Sequence, residues 1–452
     1  MNKGARCLVH FIFFYTSIEG LVINIGYPSK LSYLYKDFAI LAVYALVFLP
    51  NLGRLFAPSP TLKKLTPPLL FFSLIVGAYL ALPGIGLLAE LFALKQKLFY
   101  IPLISIGYLF VRSDDDVKQL FLALMLYAIG VAAFGIYLYF RGPEGLRELG
   151  ATYSAVLWTP RYDESVQQYW RVPGTFTSPG QYGAYLLFSG LIATAVLVTG
   201  SLSKRWKSVT AVSMTLIVLA MLISGGRASL LLLSASVAFV LLLSRNLKRI
   251  VAWGLIGYVI LAFGFAFLGP GVKDRLASVL IYGYAERFQT TYFGQLFFPA
   301  LLENPFGSGL GVATIGARHV SESTEVQLVE SYLGILAVET GLLGLGAFVW
   351  MTIAIGALVL RVRREIQGRP IMIFWYSLAV YVLLTILILP ISTAIDHAPT
   401  NFYFWFSIGV LFKLADLERL RRMPVENGGQ PVEVIRWTGY SPSPLVWKPQ
   451  IR

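Results

Sequence analysis

Residues 329–336 read Val329-Glu330-Ser331-Tyr332-Leu333-Gly334-Ile335-Leu336, and here a long polar stretch passes directly into a strongly apolar one. The polar stretch begins near Gly269 and separates two strongly apolar regions of the chain. A carboxylate at the start of an apolar helix is costly to place in a membrane, so such a residue usually has a partner or a function. The junction therefore favours chemistry at a membrane surface.

The composition is that of a polytopic membrane protein. Of the 452 residues, 57% are hydrophobic and only 13% are charged, and the mean hydropathy is +0.70. These values lie far from the balance of a soluble globular domain. The fold class predicted is an all-α polytopic membrane protein, with residues 1–422 forming a single transmembrane domain.

Hydropathy predicts about twelve transmembrane helices, because apolar runs near the roughly 20 residues that cross a bilayer recur along the chain. The first is predicted to be retained, since Glu19 interrupts its apolar run without a small-residue cleavage site. Residues 423–452 are predicted to be a disordered cytoplasmic tail, because they are rich in Pro and Gly and lack apolar periodicity. The predicted spans are 7–27, 38–56, 67–83, 98–111, 119–140, 181–200, 209–224, 228–244, 250–268, 331–360, 370–390 and 400–415.

The basic residues orient these spans. A net charge of +14 would favour nucleic acid as the partner of a soluble protein, but most of the 37 Lys and Arg residues lie in short segments between apolar runs. With both termini in the cytoplasm, most of them face inward, as the positive-inside rule requires. This topology predicts membrane lipid and no nucleic acid as partners. It places two long loops, residues 141–180 and 269–330, on the outer side.

The first outer loop ends with Arg171-Val172-Pro173-Gly174-Thr175-Phe176, just before the sixth span. Its proline and glycine predict a sharply shaped turn that holds Arg171 at the membrane interface. Arg171 either snorkels or pairs with Asp163 or Glu164, which composition alone favours, or it binds an anionic ligand.

A second arginine lies in the turn Ser224-Gly225-Gly226-Arg227, which joins the seventh and eighth spans. The turn is so short that Arg227 must lie at the outer boundary of the membrane, where a cation without a partner is costly. A guanidinium can grip a diphosphate bidentately. A carboxylate of a neighbouring loop is an equally good partner.

Glu330 is the acid that opens the tenth span. Burial there would favour its protonated form unless an arginine offsets the effect, so Glu330 is the candidate general base. Glu339 lies roughly 13 Å further along the helix on the opposite face, and we expect it to have a structural capping or pairing role. The loop Asn304–Gly311 is rich in glycine, and a chain reversal explains it better than phosphate binding. The three histidines are too scattered to predict a metal site.

In their order and topological positions, these motifs resemble the O-antigen ligase and polymerase superfamily of bacterial inner-membrane glycosyltransferases, which have a GT-C-type fold. The resemblance covers residues 141–345 and the twelve-span layout. It rests on the Arg171 loop, the Arg227 turn, Asn304–Gly311, Glu330-Ser331-Tyr332-Leu333 and Glu339-Thr340-Gly341.

The resemblance implies a multi-pass protein of the bacterial cytoplasmic membrane with its site facing the periplasm. It implies transfer of glycan units from an undecaprenyl-pyrophosphate-linked donor to the hydroxyl of a glycan or lipid-linked acceptor, in the synthesis of cell-surface polysaccharide. It also implies that no metal or other cofactor takes part, and direct attack on the anomeric carbon would invert the anomeric centre.

By resemblance, Arg171 and Arg227 hold the donor pyrophosphate and Arg287 is a third such arginine. Ligases usually carry a His-Asn pair where this chain has Glu330-Ser331, so Glu330 stands as the candidate base and the choice between ligase and polymerase stays open. Two alternatives remain. A transporter or flippase of lipid-linked glycans would show paired broken helices and charges near the bilayer midplane. A non-catalytic assembly subunit would explain imperfect motifs.

Overall fold

The computed structural model describes residues 1–25, 34–50, 52, 59–82, 85–149, 171–198, 203–243, 297–314, 316–317, 329–366 and 371–422. Within these ranges 83% of the residues are helical and none is in a strand, which confirms the all-α class. The helices are α1 Lys3–Ile25, α2 Tyr35–Phe48, α3 Pro60–Lys63, α4 Thr66–Ala78, α5 Leu87–Leu98, α6 Leu103–Phe110, α7 Asp114–Arg147, α8 Pro179–Val198, α9 Lys204–Ile223, α10 Arg227–Leu243, α11 Phe298–Glu303, α12 Tyr332–Ile366, α13 Met372–Ile388 and α14 Thr400–Arg422.

Six of the described helices are long and apolar enough to cross a membrane, so the chain is a multi-pass membrane protein. Two further apolar helices, Thr66–Ala81 and Ala228–Leu243, are shorter. The predicted span 250–268 and the predicted tail 423–452 lie outside the described residues. The six long spans are Lys3–Ile23, Asp114–Gly142, Pro179–Val198, Lys204–Ile223, Tyr332–Ile366 and Met372–Ile391.

The fourth predicted span, 98–111, is wrong in its boundaries. The structure has two helices here, α5 and α6, separated by a turn at residues 99–102. Pro102 lacks the amide that a continuous helix would need, so the chain turns before α6. Lys95 and Lys97 lower the hydropathy of α5. The predicted span therefore begins only at the last residue of that helix.

The tenth predicted span is a helix, but it is not continuous. Gly341 interrupts α12 with φ 57° and ψ −154°, a backbone conformation that is essentially restricted to glycine. The short first part of α12 therefore ends near Thr340, and the long second part runs on from Leu342.

Three helices form the centre of the bundle. α6, α8 and α14 are buried along most of their length. α6 and α14 pack so closely that a Cβ at Gly107 would overlap the carbonyl oxygen of Phe406, and a Cβ at Gly409 would overlap that of Ile104. Close backbone approach at small residues is a usual basis of helix association in membranes.

The contacts define two ends of the bundle. At one end, the N-terminus, the start of α7 and the ends of α12 and α14 are joined by ion pairs. We call this the terminal end. The opposite end, where α8 and α12 begin, is called the loop end. The pairs at the terminal end are Arg6–Asp116, Arg421–Asp114 and Arg419–Glu365.

Candidate functional site

The Arg171 loop, residues 171–176, is held against the last turns of α1. The amide of Leu21 donates to the carbonyl of Thr175 at 3.1 Å, and the Thr175 hydroxyl donates to the carbonyl of Ser17 at 2.5 Å. A Cβ at Gly20 would overlap the backbone of Phe176, so α1 presents a glycine where the loop crosses it. The loop is therefore a fixed part of the bundle at the loop end.

Arg171 lies beside the turn that carries the second predicted arginine. Its Nε donates to the carbonyl of Ser224 at 3.3 Å, and the buried Val172 packs in one cluster with Leu222 and Ile223 of α9. Helix α10 begins at Arg227. The structure thus brings the Arg171 loop and the backbone of the Arg227 turn together.

The Arg227 side chain, Arg287, Asp163 and Glu164 lie outside the described residues. The two interpretations of each arginine, ligand binding and pairing with a nearby carboxylate, therefore stay predictions.

Glu330 is exposed, and the expectation of burial is wrong. The helix begins only at Tyr332, so Glu330 precedes its first turn and its side chain lies outside the packed interior. The neighbouring Ser331 is buried, and its hydroxyl donates to the carbonyl of Leu389 at 3.4 Å. An exposed carboxylate at this position can meet a partner that arrives from water.

The glycine-rich loop reverses the chain, as the chain-reversal interpretation expected. It also docks on the break in α12, which the sequence did not predict. The Gly307 amide donates to the carbonyl of Asn304 at 2.8 Å, which closes the turn. The Ser308 amide then donates to the carbonyl of Val338 at 2.7 Å, and the Leu342 amide donates to that of Pro305 at 2.8 Å. The loop thus satisfies backbone groups that the break leaves open.

Glu339 is fully buried and pairs with Lys97 of α5, whose side chain is also fully buried. The amides of Ala313 and Thr314 donate to the other oxygen of Glu339 at 2.9 and 2.7 Å. The predicted pairing role of Glu339 is confirmed. These bonds tie α5 and α12 to residues 304–314, which we call the glycine-rich segment. Breaking a buried pair by removing one partner typically costs about 3–5 kcal/mol.

Two more ion pairs lie at the loop end. Lys36 of α2 pairs with Glu19 of α1, and both residues are buried. Lys95 donates to Asp37 at 2.6 Å, and the Tyr100 hydroxyl donates to the other oxygen of Asp37 at 2.9 Å. Together with the Lys97 pair they form what we call the interior ionic cluster.

Asp396 is a further buried acid near Lys97. It lies in the 3-10 turn Ala394–Asp396, beyond the end of the span Met372–Ile391, and it is 1% exposed. Removal from water raises the pKa of Asp396 to about 7; the charge of Lys97 opposes the rise and that of Glu339 adds to it. Asp396 therefore changes its charge near neutral pH.

Sequence reasoning missed the interior ionic cluster. It noted Glu19 only as an interruption of an apolar run, and it left Lys95 and Lys97 just outside a predicted span. The signal was present, because an ionisable residue within or beside an apolar run usually has a partner or a function. The identity of the partners was not readable, since each pair joins distant parts of the chain. Within the described residues, no group of three or more His, Cys, Asp and Glu side chains could hold a metal ion.

The fold and these contacts define a class, an all-α multi-pass membrane protein with an ionic interior at one end of its bundle. No protein-family model matches the chain, and no curated protein matches it.

Proposed function

We propose that this protein is a glycosyltransferase that transfers or polymerises glycan units from an undecaprenyl-pyrophosphate-linked donor onto an acceptor hydroxyl in cell-surface polysaccharide synthesis. It has a GT-C-like bundle of about twelve spans in the bacterial cytoplasmic membrane, and its loop end faces the exterior. The contact between Arg171 and the Ser224 carbonyl carries the proposal, because it joins the two loops that hold two of the three proposed donor-binding arginines, Arg171 and Arg227.

The proposed glycosyl transfer needs cationic side chains at the pyrophosphate and a general base at the acceptor hydroxyl. Arg171, Arg227 and Arg287 stabilise the charge that accumulates on the departing pyrophosphate. Glu330 deprotonates the acceptor hydroxyl as it attacks the anomeric carbon. Its exposure supports this role, since the acceptor is a glycan that approaches from the aqueous side.

The test is turnover of purified protein in proteoliposomes with a lipid-linked glycan donor. We expect Arg171→Ala and Arg227→Ala each to lower the release of undecaprenyl pyrophosphate by about 10²–10³-fold, since each removes a donor to the developing charge. Glu330→Gln should lower it by about 10²–10⁴-fold, because the amide cannot take the proton.

Arg141→Ala is the matched control. Arg141 lies at the start of the same outer loop, but it is exposed and donates to Glu148 at 2.9 Å. This variant should keep wild-type turnover. Wild-type rates from all three site variants would refute the proposal.

A transporter of lipid-linked glycans is the second candidate. The break at Gly341 and the buried Lys97–Glu339 pair favour it, because transporters place ionisable residues beside discontinuous helices. The proteoliposome assay separates the two. A transporter would move the donor to the opposite leaflet without releasing undecaprenyl pyrophosphate, whereas an enzyme would release it.

A further inference from the structure

An ionised Asp396 would bring a negative charge into the interior ionic cluster, where no described residue donates a hydrogen bond to it. Both carboxylate oxygens are buried, and no donor among the described residues reaches either of them. An ionised carboxylate in such a position is strongly disfavoured, because water no longer solvates it. The charge must be neutralised by a cation or a proton.

Lys97 is not the cation that neutralises Asp396. Its ammonium donates to Glu339 and, at 3.1 Å, to the hydroxyl of Thr314. Glu339 also accepts two backbone amides, so three donors support its negative charge. Glu339 is therefore the ionised member of the two acids, and Lys97 is already matched to it.

The other charged and titratable groups around Asp396 do not neutralise it either. Lys95 of α5 acts on Asp396 but is committed to Asp37. From α12, the charge of Glu339 acts on Asp396, and Asp396 in turn acts on the hydroxyl of Tyr332. α8 and the first turns of α14 carry tyrosines but no charged residue. His397 is neutral near pH 7, because burial and, to a smaller extent, the charge of Lys36 lower its pKa to about 4.

We propose that Asp396 is a proton-binding site, in which a single proton neutralises the acid that the Lys97–Glu339 pair leaves unmatched. The site is independent of the chemistry proposed above. Loading forms the O–H bond of the Asp396 carboxyl with a proton from water at the loop end, and release returns that proton to water.

Release has a structural consequence. With Asp396 ionised, two carboxylates compete for the ammonium of Lys97, and its bond to Glu339 weakens. Glu339 also holds the amides of Ala313 and Thr314, so the glycine-rich segment is held less firmly. The proton on Asp396 thereby stabilises the docking of that segment on α12.

Infrared difference spectroscopy of the full-length protein in lipid detects the proton directly. Near pH 6 the wild type should show a protonated carboxyl C=O band that deuteration shifts, and Asp396→Asn should lose it. Asp115→Asn, which removes an exposed acid at the terminal end, should keep it. In Glu339→Gln the band should also disappear, because Lys97 then pairs with Asp396. A wild-type spectrum without such a band would overturn the proposal.

Thermal unfolding provides a second readout. The folded-state pKa of Asp396 is raised above its ordinary value near 4, so its contribution to stability is complete below that value and is lost as pH rises through about 7. The Tm of the wild type should fall between about pH 5 and about pH 8. Asp396→Asn, which mimics the protonated acid, should remove that part of the fall.

A comparison of sodium with choline tests whether a metal cation, and not a proton, neutralises Asp396. In the wild type at about pH 8, replacing choline chloride with sodium chloride should leave the Tm unchanged. Stabilisation by sodium that disappears in Asp396→Asn would assign the site to a metal cation and overturn the proton assignment. If Asp396→Asn fails to fold, a wild-type spectrum without the band still overturns the proposal, and loss of the band in Glu339→Gln supplies a second variant that assigns it.

Discussion

Gly341 and Gly346 belong to the same helix, yet their surroundings differ completely. A Cβ at Gly341 would overlap the carbonyl oxygen of Pro305, and its φ of 57° is unfavourable for any other residue. Gly346 has helical geometry and no atom within 4 Å of an added Cβ. One glycine is required by the break in α12, and the other is not.

Gly341→Ala should therefore destabilise the protein by about 1–3 kcal/mol from backbone strain alone, with a further cost from the displaced loop. Gly346→Ala should be neutral or stabilise by up to about 1 kcal/mol, because alanine favours the helix. Thermal unfolding in detergent measures both. Equal Tm values for the two variants would show that the break does not need its glycine.

At the scale of elements, the contact between α6 and α14 organises the centre of the bundle. Both helices bury almost every residue of the shared face, and backbone meets backbone at Gly107 and Gly409. Inside lipid the hydrophobic effect does not favour contact between helices, because the lipid tails are equally apolar. Close van der Waals packing therefore holds α6 and α14 together. α14 also leads directly from Asp396, so its position bears on the interior ionic cluster.

Gly409→Ala should push the two helices apart and cost about 1–3 kcal/mol, since the added methyl meets the Ile104 carbonyl. Gly130→Ala in α7 is the matched control, because no atom lies within 4 Å of its added Cβ. The readout is again the Tm in detergent. An unchanged Tm for Gly409→Ala would mean that α6 and α14 can separate at little cost.

At the scale of the whole molecule, the two ends of the bundle differ in their chemistry. The terminal end carries partly exposed ion pairs such as Arg421–Asp114, whereas the loop end also holds two buried pairs, Lys36–Glu19 and Lys97–Glu339. The excess of basic residues in the segments of the terminal end predicts that this end faces the cytoplasm. Exposed residues at each end allow that orientation to be measured.

We expect Glu303→Cys, in a Cys7→Ser background, to react with a membrane-impermeant maleimide in intact cells. Asp115→Cys should react only after the membrane is permeabilised. Both side chains are exposed, so accessibility from one side of the membrane decides the result. The Cys7→Ser chain alone should give no label. The reverse pattern would invert the proposed topology and remove the exterior site.

The interior ionic cluster shows how far sequence reasoning reaches into the site. Local sequence predicted the Arg171 loop, the Arg227 turn and the structural role of Glu339, because each depends on short-range geometry or helix periodicity. It did not predict Lys97 as the partner of Glu339 or find Asp396, since these contacts join α5, α12 and the α13–α14 connection. It also expected Glu330 to be buried, because hydropathy cannot tell the residue before a helix from the first residue inside it.

The amino-acid sequence by itself determined that the chain is helical, that it enters the membrane repeatedly and that its polar stretches lie between apolar spans. Those properties follow from composition and hydropathy, which act on each segment separately. Only the tertiary structure decided that α12 breaks at Gly341, that the glycine-rich segment docks there and that Lys97 neutralises Glu339. These features arise where distant segments meet, because a buried charge or an open backbone group must find its partner wherever the fold brings one.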